Sequence, residues 1–110
     1  MKPAGSEEQR LPTDFFQDVR KTVAEHLPGI SYRLYLFGSR VQGRASGRSD
    51  IDIGILAEHS LPLSTMARIR EALEDIPILQ RIDLVDLSAA SPDFAMKALS
   101  TAKLLDERHP

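Results

Sequence analysis

The sequence of 110 residues has no cysteine, no tryptophan, no apolar run of membrane-spanning length and no marked excess of either charge. Each absence excludes something. Without cysteine there is neither a disulfide framework nor a thiolate metal site, and His26, His59 and His109 are too scattered along the chain to suggest a zinc cluster. Any metal site is therefore expected to be built from oxygen. No segment approaches the roughly 20 apolar residues of a transmembrane helix, and the polar start MKPAGSEEQR has no apolar signal core. The expectation is a cytoplasmic protein with no membrane partner. A formal charge of -2 gives no broad electrostatic footprint for duplex nucleic acid. What is present, 42% apolar and 27% charged residues, is the composition of one globular domain.

Residues 1–10 are polar, with Pro3, Gly5 and paired glutamates, and read as a flexible N-terminus ahead of a domain over 11–110. Pro12-Thr13 offers a helix entry, Phe16, Val19, Val23 and Leu27 follow at helical spacing, and Pro28-Gly29 stops the run. Residues 33–37 read as a strand, 39–43 as a short helix start, 45–49 as a Gly/Ser-rich loop and 51–56 as a second strand. Ser64 reads as the N-cap of a helix to Asp75 with an apolar stripe of Met66, Ile69, Leu73 and Ile76. Residues 81–87 make a third strand, and Ser91-Pro92 opens a last helix carrying Phe94, Leu99, Leu104 and Leu105. Helices alternating with strands predict a small α/β (α+β) domain: one mixed sheet, helices packed mainly on one face, carboxylates at the other.

The informative stretch is FGSRVQGRASGRSDIDIGI. Gly38-Ser39 follows an apolar run, so the chain leaves a strand and enters a helix at a residue without a side chain, presenting unpaired N–H groups to an anion. In Asp50-Ile51-Asp52-Ile53 both carboxylates fall on one face of a strand, their Cα atoms roughly 7 Å apart. Two such carboxylates can share hard cations such as Mg²⁺. Alone, a Gly-Ser is a turn and cap, and an Asp-x-Asp is ordinary on a surface strand. Their conjunction in this order and spacing describes a nucleoside triphosphate site. Arg33, Arg40, Arg44 and Arg48 surround the motif, enough for one or two to meet phosphate.

Transfer of a nucleoside monophosphate needs the attacking and leaving oxygens stabilised together, the task of two Mg²⁺ ions, with a third carboxylate on the nucleophile side. Asp83 and Asp86 are the candidates, and they lie on opposite faces of one strand. Asp83, set between Ile82 and Leu84, has no packing purpose and is costly to bury without a cation or hydrogen-bonding partner. Asp86 is close to the strand end, where polar residues are ordinary. Asp83 is favoured.

With these residues the chain resembles the minimal nucleotidyltransferases of the DNA polymerase beta-like superfamily, whose signature is Gly-Ser, about ten residues, then Asp-x-Asp. Ser49 before the first aspartate and the Ile-Asp-Leu-Val-Asp-Leu strand strengthen the likeness, which spans residues 31–105. The resemblance implies that Gly38 and Ser39 hold the β- and γ-phosphates of ATP, with Arg40 and Ser49 in the nucleotide-binding set. It implies that Asp50 and Asp52 bind Mg²⁺, and that Asp83 is third ligand and general base. Small prokaryotic members pair as antitoxins with a HEPN-type protein and silence it by AMP transfer, which implies protein AMP transfer here. Gly54 departs from the bulky aliphatic residue expected after the acidic strand. Larger relatives carry a helical domain that grips the base or the acceptor, so a partner or a homo-oligomer is expected to supply that surface, with Leu61, Leu63, Ile78 and Leu79 as docking candidates. The alternatives are a non-catalytic module that neutralises its partner by occlusion, and a small-molecule nucleotidyltransferase.

Overall fold

A computed structural model describes residues 11–38, 41 and 50–110. Ser39, Arg40, Arg44, Arg48 and Ser49, the short helix expected over 39–43 and the segment 1–10 lie outside the described residues. The elements run α1 (Phe15–His26), β1 (Tyr32–Phe37), β2 (Ile51–Ala57), α2 (Leu63–Glu74), β3 (Ile82–Asp86), α3 (Pro92–Ser100) and β4 (Lys103–Arg108).

The strands form one mixed sheet in the order β3-β2-β1-β4, with β1 antiparallel to both β2 and β4, and β2 parallel to β3. Strand alternation divides its side chains between two faces. Tyr32, Leu34 and Leu36 of β1, Ile51, Ile53 and Ile55 of β2 and Leu84 of β3 join the main core. Against them α1 sets Phe15, Val19 and Val23, and α2 sets Met66, Ile69 and Leu73, each at helical spacing and each buried. Two helices thus cover one face. On the other, α3 packs Ala98 and Leu99 near Phe37, Leu87, Tyr35 and Val85, and leaves the end of the face that carries Asp52 and Asp83 uncovered by that cluster.

The boundaries correct three expectations. Phe15, not Phe16, is the fully buried ring opening the α1 stripe, with Phe16 packed edge-on at 4.9 Å between centroids. The second long helix starts at Leu63, behind Pro62, and Ser64 sits in its first turn without capping it. Pro62 has φ -56° and ψ 143°, and its carbonyl accepts from Met66 N at 3.1 Å. A proline suits this junction because the N–H it lacks is not needed there.

The third correction is larger. The last helix ends at Ser100, so Leu104 and Leu105 belong to β4 rather than to a helical stripe. Leu, Asp, Glu and Arg carry ordinary helix propensity, and only the exposed hydrogen-bonding edge of β1, remote in sequence, turns the segment into a strand. The start of that helix is as read: Ser91 Oγ accepts from Phe94 N at 3.3 Å, with Pro92 next in the first turn.

Candidate active site

The site grows from the alternation in β2. Ile51, Ile53 and Ile55 are fully buried on the two-helix face, which forces Asp52 and Gly54 to the opposite one. Asp52 is half-buried, and Asp50, immediately before the strand, is exposed. The register aligns Phe37 of β1, Asp52 of β2 and Asp83 of β3 as successive partners across the sheet. Two carboxylates therefore stand side by side on neighbouring strands.

Their charges are felt. Burial, then the Asp83 charge, then that of Asp50, raise the Asp52 carboxyl above its ordinary value. Against the same carboxylate lies Gly38, at the end of β1, with φ +81°. A Cβ there would run into Asp52 Oδ2 and stand 3.1 Å from Asp52 Cγ. Glycine is required twice over, by the left-handed backbone and by the close approach of the carboxylate. The result is a backbone turn held directly over an acidic face.

Asp83 is brought to Asp52, and Asp86 is not. The Asp86 carboxylate instead accepts from Leu61 N at 2.7 Å and Ser88 N at 3.0 Å, while Ser88 Oγ accepts from Ala57 N at 2.7 Å. It ties the loop after β2 to the end of β3. Gly54, the departure in the sequence, also finds its reason. A Cβ there would lie 2.9 Å from Leu87 Cγ and 3.4 Å from Phe37 Cε1, so its missing side chain is the space into which Leu87 and Phe37 pack under α3. Sequence reasoning missed this because Leu87 is far away along the chain. Of the docking candidates, Leu63 and Leu79 are 86% and 90% exposed, and Leu61 is buried.

Among the described residues no three His, Cys, Asp or Glu side chains are gathered into a ready-made ion cage. The donor set nevertheless fits a hard divalent cation. Asp52 and Asp83 repel one another across the parallel pair, the Asp50 charge adds to that repulsion, and every ligand atom these side chains offer is a carboxylate oxygen. A cation between them would relieve the repulsion that raises Asp52.

A glycine turn at a strand end over paired strand carboxylates is the arrangement of a nucleotidyltransferase, and the chain belongs to the family described as polymerase beta, nucleotidyltransferase, which matches residues 21–110. It is 36% identical over 74 residues to the probable protein adenylyltransferase MntA of Haemophilus influenzae, covering 67% of this chain and 64% of that one. Among solved structures it is similar to the MNT antitoxin in complex with a tri-AMPylated HEPN toxin from Shewanella oneidensis, at 26% identity and a TM-score of 0.66 over 86% of this chain and 71% of the other. A toxin–antitoxin structure with AMP-PNP matches at 29% identity and a TM-score of 0.64, covering 84% and 73%. The chain spans 60 to 64% of the length of the curated relatives it matches. Among the described residues no helix is long and apolar enough to cross a membrane.

Proposed function

We propose that this chain is the nucleotidyltransferase domain, over residues 11–110, of a cytoplasmic antitoxin that transfers AMP from ATP to a hydroxyl of a HEPN-type partner protein in a Mg²⁺-dependent reaction. The observation that carries this reading is the alignment of Asp52 with Asp83 across β2 and β3, with Gly38 packed onto Asp52. The names of the relatives, a protein adenylyltransferase and an antitoxin in complex with its AMPylated toxin, point the same way.

In the reaction the acceptor hydroxyl oxygen forms a bond to the α-phosphorus, the α–β phosphoanhydride breaks, and pyrophosphate leaves with the electron pair. The acceptor's proton passes to the Asp83 carboxylate and on to water. Asp50, Asp52 and Asp83 would hold two Mg²⁺ ions, which supply charge neutralisation for the attacking and leaving oxygens. Gly38 offers its backbone to the β- and γ-phosphates without a side chain in the way. By the resemblance Ser39 joins Gly38 at these phosphates, and Arg40 and Ser49 complete the nucleotide-binding set.

The test is the intact mass of the purified HEPN-type partner after incubation with this chain, ATP and Mg²⁺. One or more added AMP units are expected with the native chain and none with Asp52→Asn. Partner activity that is suppressed equally by native chain and variant, with no gain of mass, overturns transfer and leaves occlusion. Transfer that persists in Asp52→Asn removes Asp52 from the mechanism and overturns the reading of the Asp52–Asp83 pair.

A further inference from the structure

Resting on the transfer reading above, we propose that Phe94, backed by Phe37, is the platform on which the base of the nucleoside triphosphate stacks, and that the site thereby favours a purine over a pyrimidine. The carboxylates of Asp50, Asp52 and Asp83 and the Gly38 turn account for metal and phosphates, and none of them offers a base an apolar surface. These two rings do.

Their position follows from the sheet. Phe37 is the direct cross-strand partner of Asp52, so the two side chains share a face, with Cβ atoms roughly 4.5 to 5.5 Å apart. It is also the residue before Gly38. Its ring leans over Gly54 and is 8% exposed. Phe94 meets that ring edge-on, with 6.2 Å between centroids and 85° between planes, an arrangement in which aromatic pairs attract and hold one another.

Phe94 lies one helical turn ahead of Ala98, the residue that α3 buries in a cluster with Phe37 and Leu87. That spacing places both on the inward side of the helix, yet Phe94 is 44% exposed. The helix crosses the face from the end of β3 toward the start of β4. With Ala98 and Leu99 turned onto the sheet, right-handed winding sets Phe94 on the flank toward the strand ends that carry Asp52 and Asp83. Its exposed part therefore borders the acidic face, whereas Met96, 72% exposed, stands on the outer side of the helix.

Of the two reactants, the nucleotide is the one this platform fits. Through Phe37 the ring pair is tied to β1, the strand that ends in the phosphate turn, while the acceptor's proton goes to Asp83 on β3. Every base has a π-face that stacks on an aromatic side chain. Neither phenylalanine ring carries a polar atom, so this surface selects by size of the stacked ring system and not by hydrogen-bond pattern, and the purine covers more of it.

The experiment measures binding of AMP-PNP, UTP and inorganic tripolyphosphate, each with Mg²⁺, to the native chain, Phe94→Ala and Phe94→Trp. Phe94→Ala is expected to weaken AMP-PNP about tenfold, equivalent to about 1.4 kcal/mol, to leave tripolyphosphate within about twofold, and to abolish the native preference for AMP-PNP over UTP. The chain has no tryptophan, so Phe94→Trp carries a single indole and reports the platform even where the alanine variant fails to fold. Its emission is expected to change on saturation with AMP-PNP and to stay constant with tripolyphosphate. Unchanged AMP-PNP affinity in folded Phe94→Ala, an equal loss for tripolyphosphate, or emission unmoved by AMP-PNP overturns the platform. Unchanged AMP-PNP affinity with a raised KM for the HEPN-type partner overturns it too and makes Phe94 a partner contact. Failure of the native chain to bind AMP-PNP and tripolyphosphate alike overturns the underlying reading instead, so the two failures are distinguishable.

Discussion

Burial and the neighbouring charges of Asp83 and Asp50 raise the Asp52 pKa above the ordinary carboxylate value, so the folded chain holds that proton more tightly than the unfolded chain does. The stabilisation from this is fully present below the unfolded value of about 3.9 and is lost as pH rises through the folded one. At neutral pH an ionised Asp52 opposes folding. Asp52→Asn, expected to abolish transfer under the proposed mechanism, is therefore also expected to raise the Tm of the metal-free protein at pH 7, with the gain shrinking toward zero below about pH 4. Calorimetry of both proteins at the two pH values checks it, and a variant less stable at pH 7 sinks the account. The motif that made this residue stand out was legible in sequence because its chemistry is local: alternation fixes the face of Asp52, whereas Asp50, expected on the same strand, lies just before β2 begins at Ile51. The partner of Asp52 was legible by a different route. Asp83 was preferred to Asp86 on the cost of a carboxylate without a purpose, and the register with Asp52 agrees with that preference. Gly54 was not legible, since its reason is Leu87 approaching from another strand.

Among the elements, β3 carries two aspartates with separate duties. Asp86 holds Leu61 N and Ser88 N, both donors to one carboxylate, and so fastens the turn ahead of α2. Asp86→Ala leaves these donors without that acceptor and is expected to cost about 1.5–3 kcal/mol in urea unfolding, while the remaining folded protein still transfers AMP. Asp83→Ala is expected to do the reverse, with transfer lost and stability little changed. A single urea and activity comparison of the two variants distinguishes them, and equal effects on both readouts would refute the division. The helices α1 and α2 were readable because each writes its own buried stripe at a spacing near 3.6 residues. Strand β4 was not. Lys103–Arg108 holds the same residue types as a helix end, and its partner, β1, lies about two-thirds of the chain away.

At the scale of the whole molecule, the acidic face is a source of strain that a ligand can remove. Saturating Mg²⁺ with AMP-PNP, at about a hundred times the dissociation constant, is expected to stabilise the native chain by about 2.7 kcal/mol, a rise in Tm of roughly ten degrees or more. Chelating the metal should reverse the rise, and Asp52→Asn should show little of it. A thermal melt with and without EDTA gives the answer, and an equal shift in both proteins would show that the ligand binds elsewhere.

The two margins of the sheet differ in kind. Along β4 the register slips between Leu34 and Tyr35, and the strand carries Lys103, Asp106, Glu107 and Arg108, with Arg33 bonded to Glu107 and Arg108 to Asp106 at 2.9 and 2.8 Å. Irregular pairing and a dense run of charge discourage further strands there. Along the β3 margin Arg70 Nη2 donates to Leu84 O at 3.1 Å, so a cation from α2 is held against the strand's outer backbone. Both outer strands thus set a charged side chain against an incoming backbone, which discourages the edge-to-edge stacking of copies that leads to fibres.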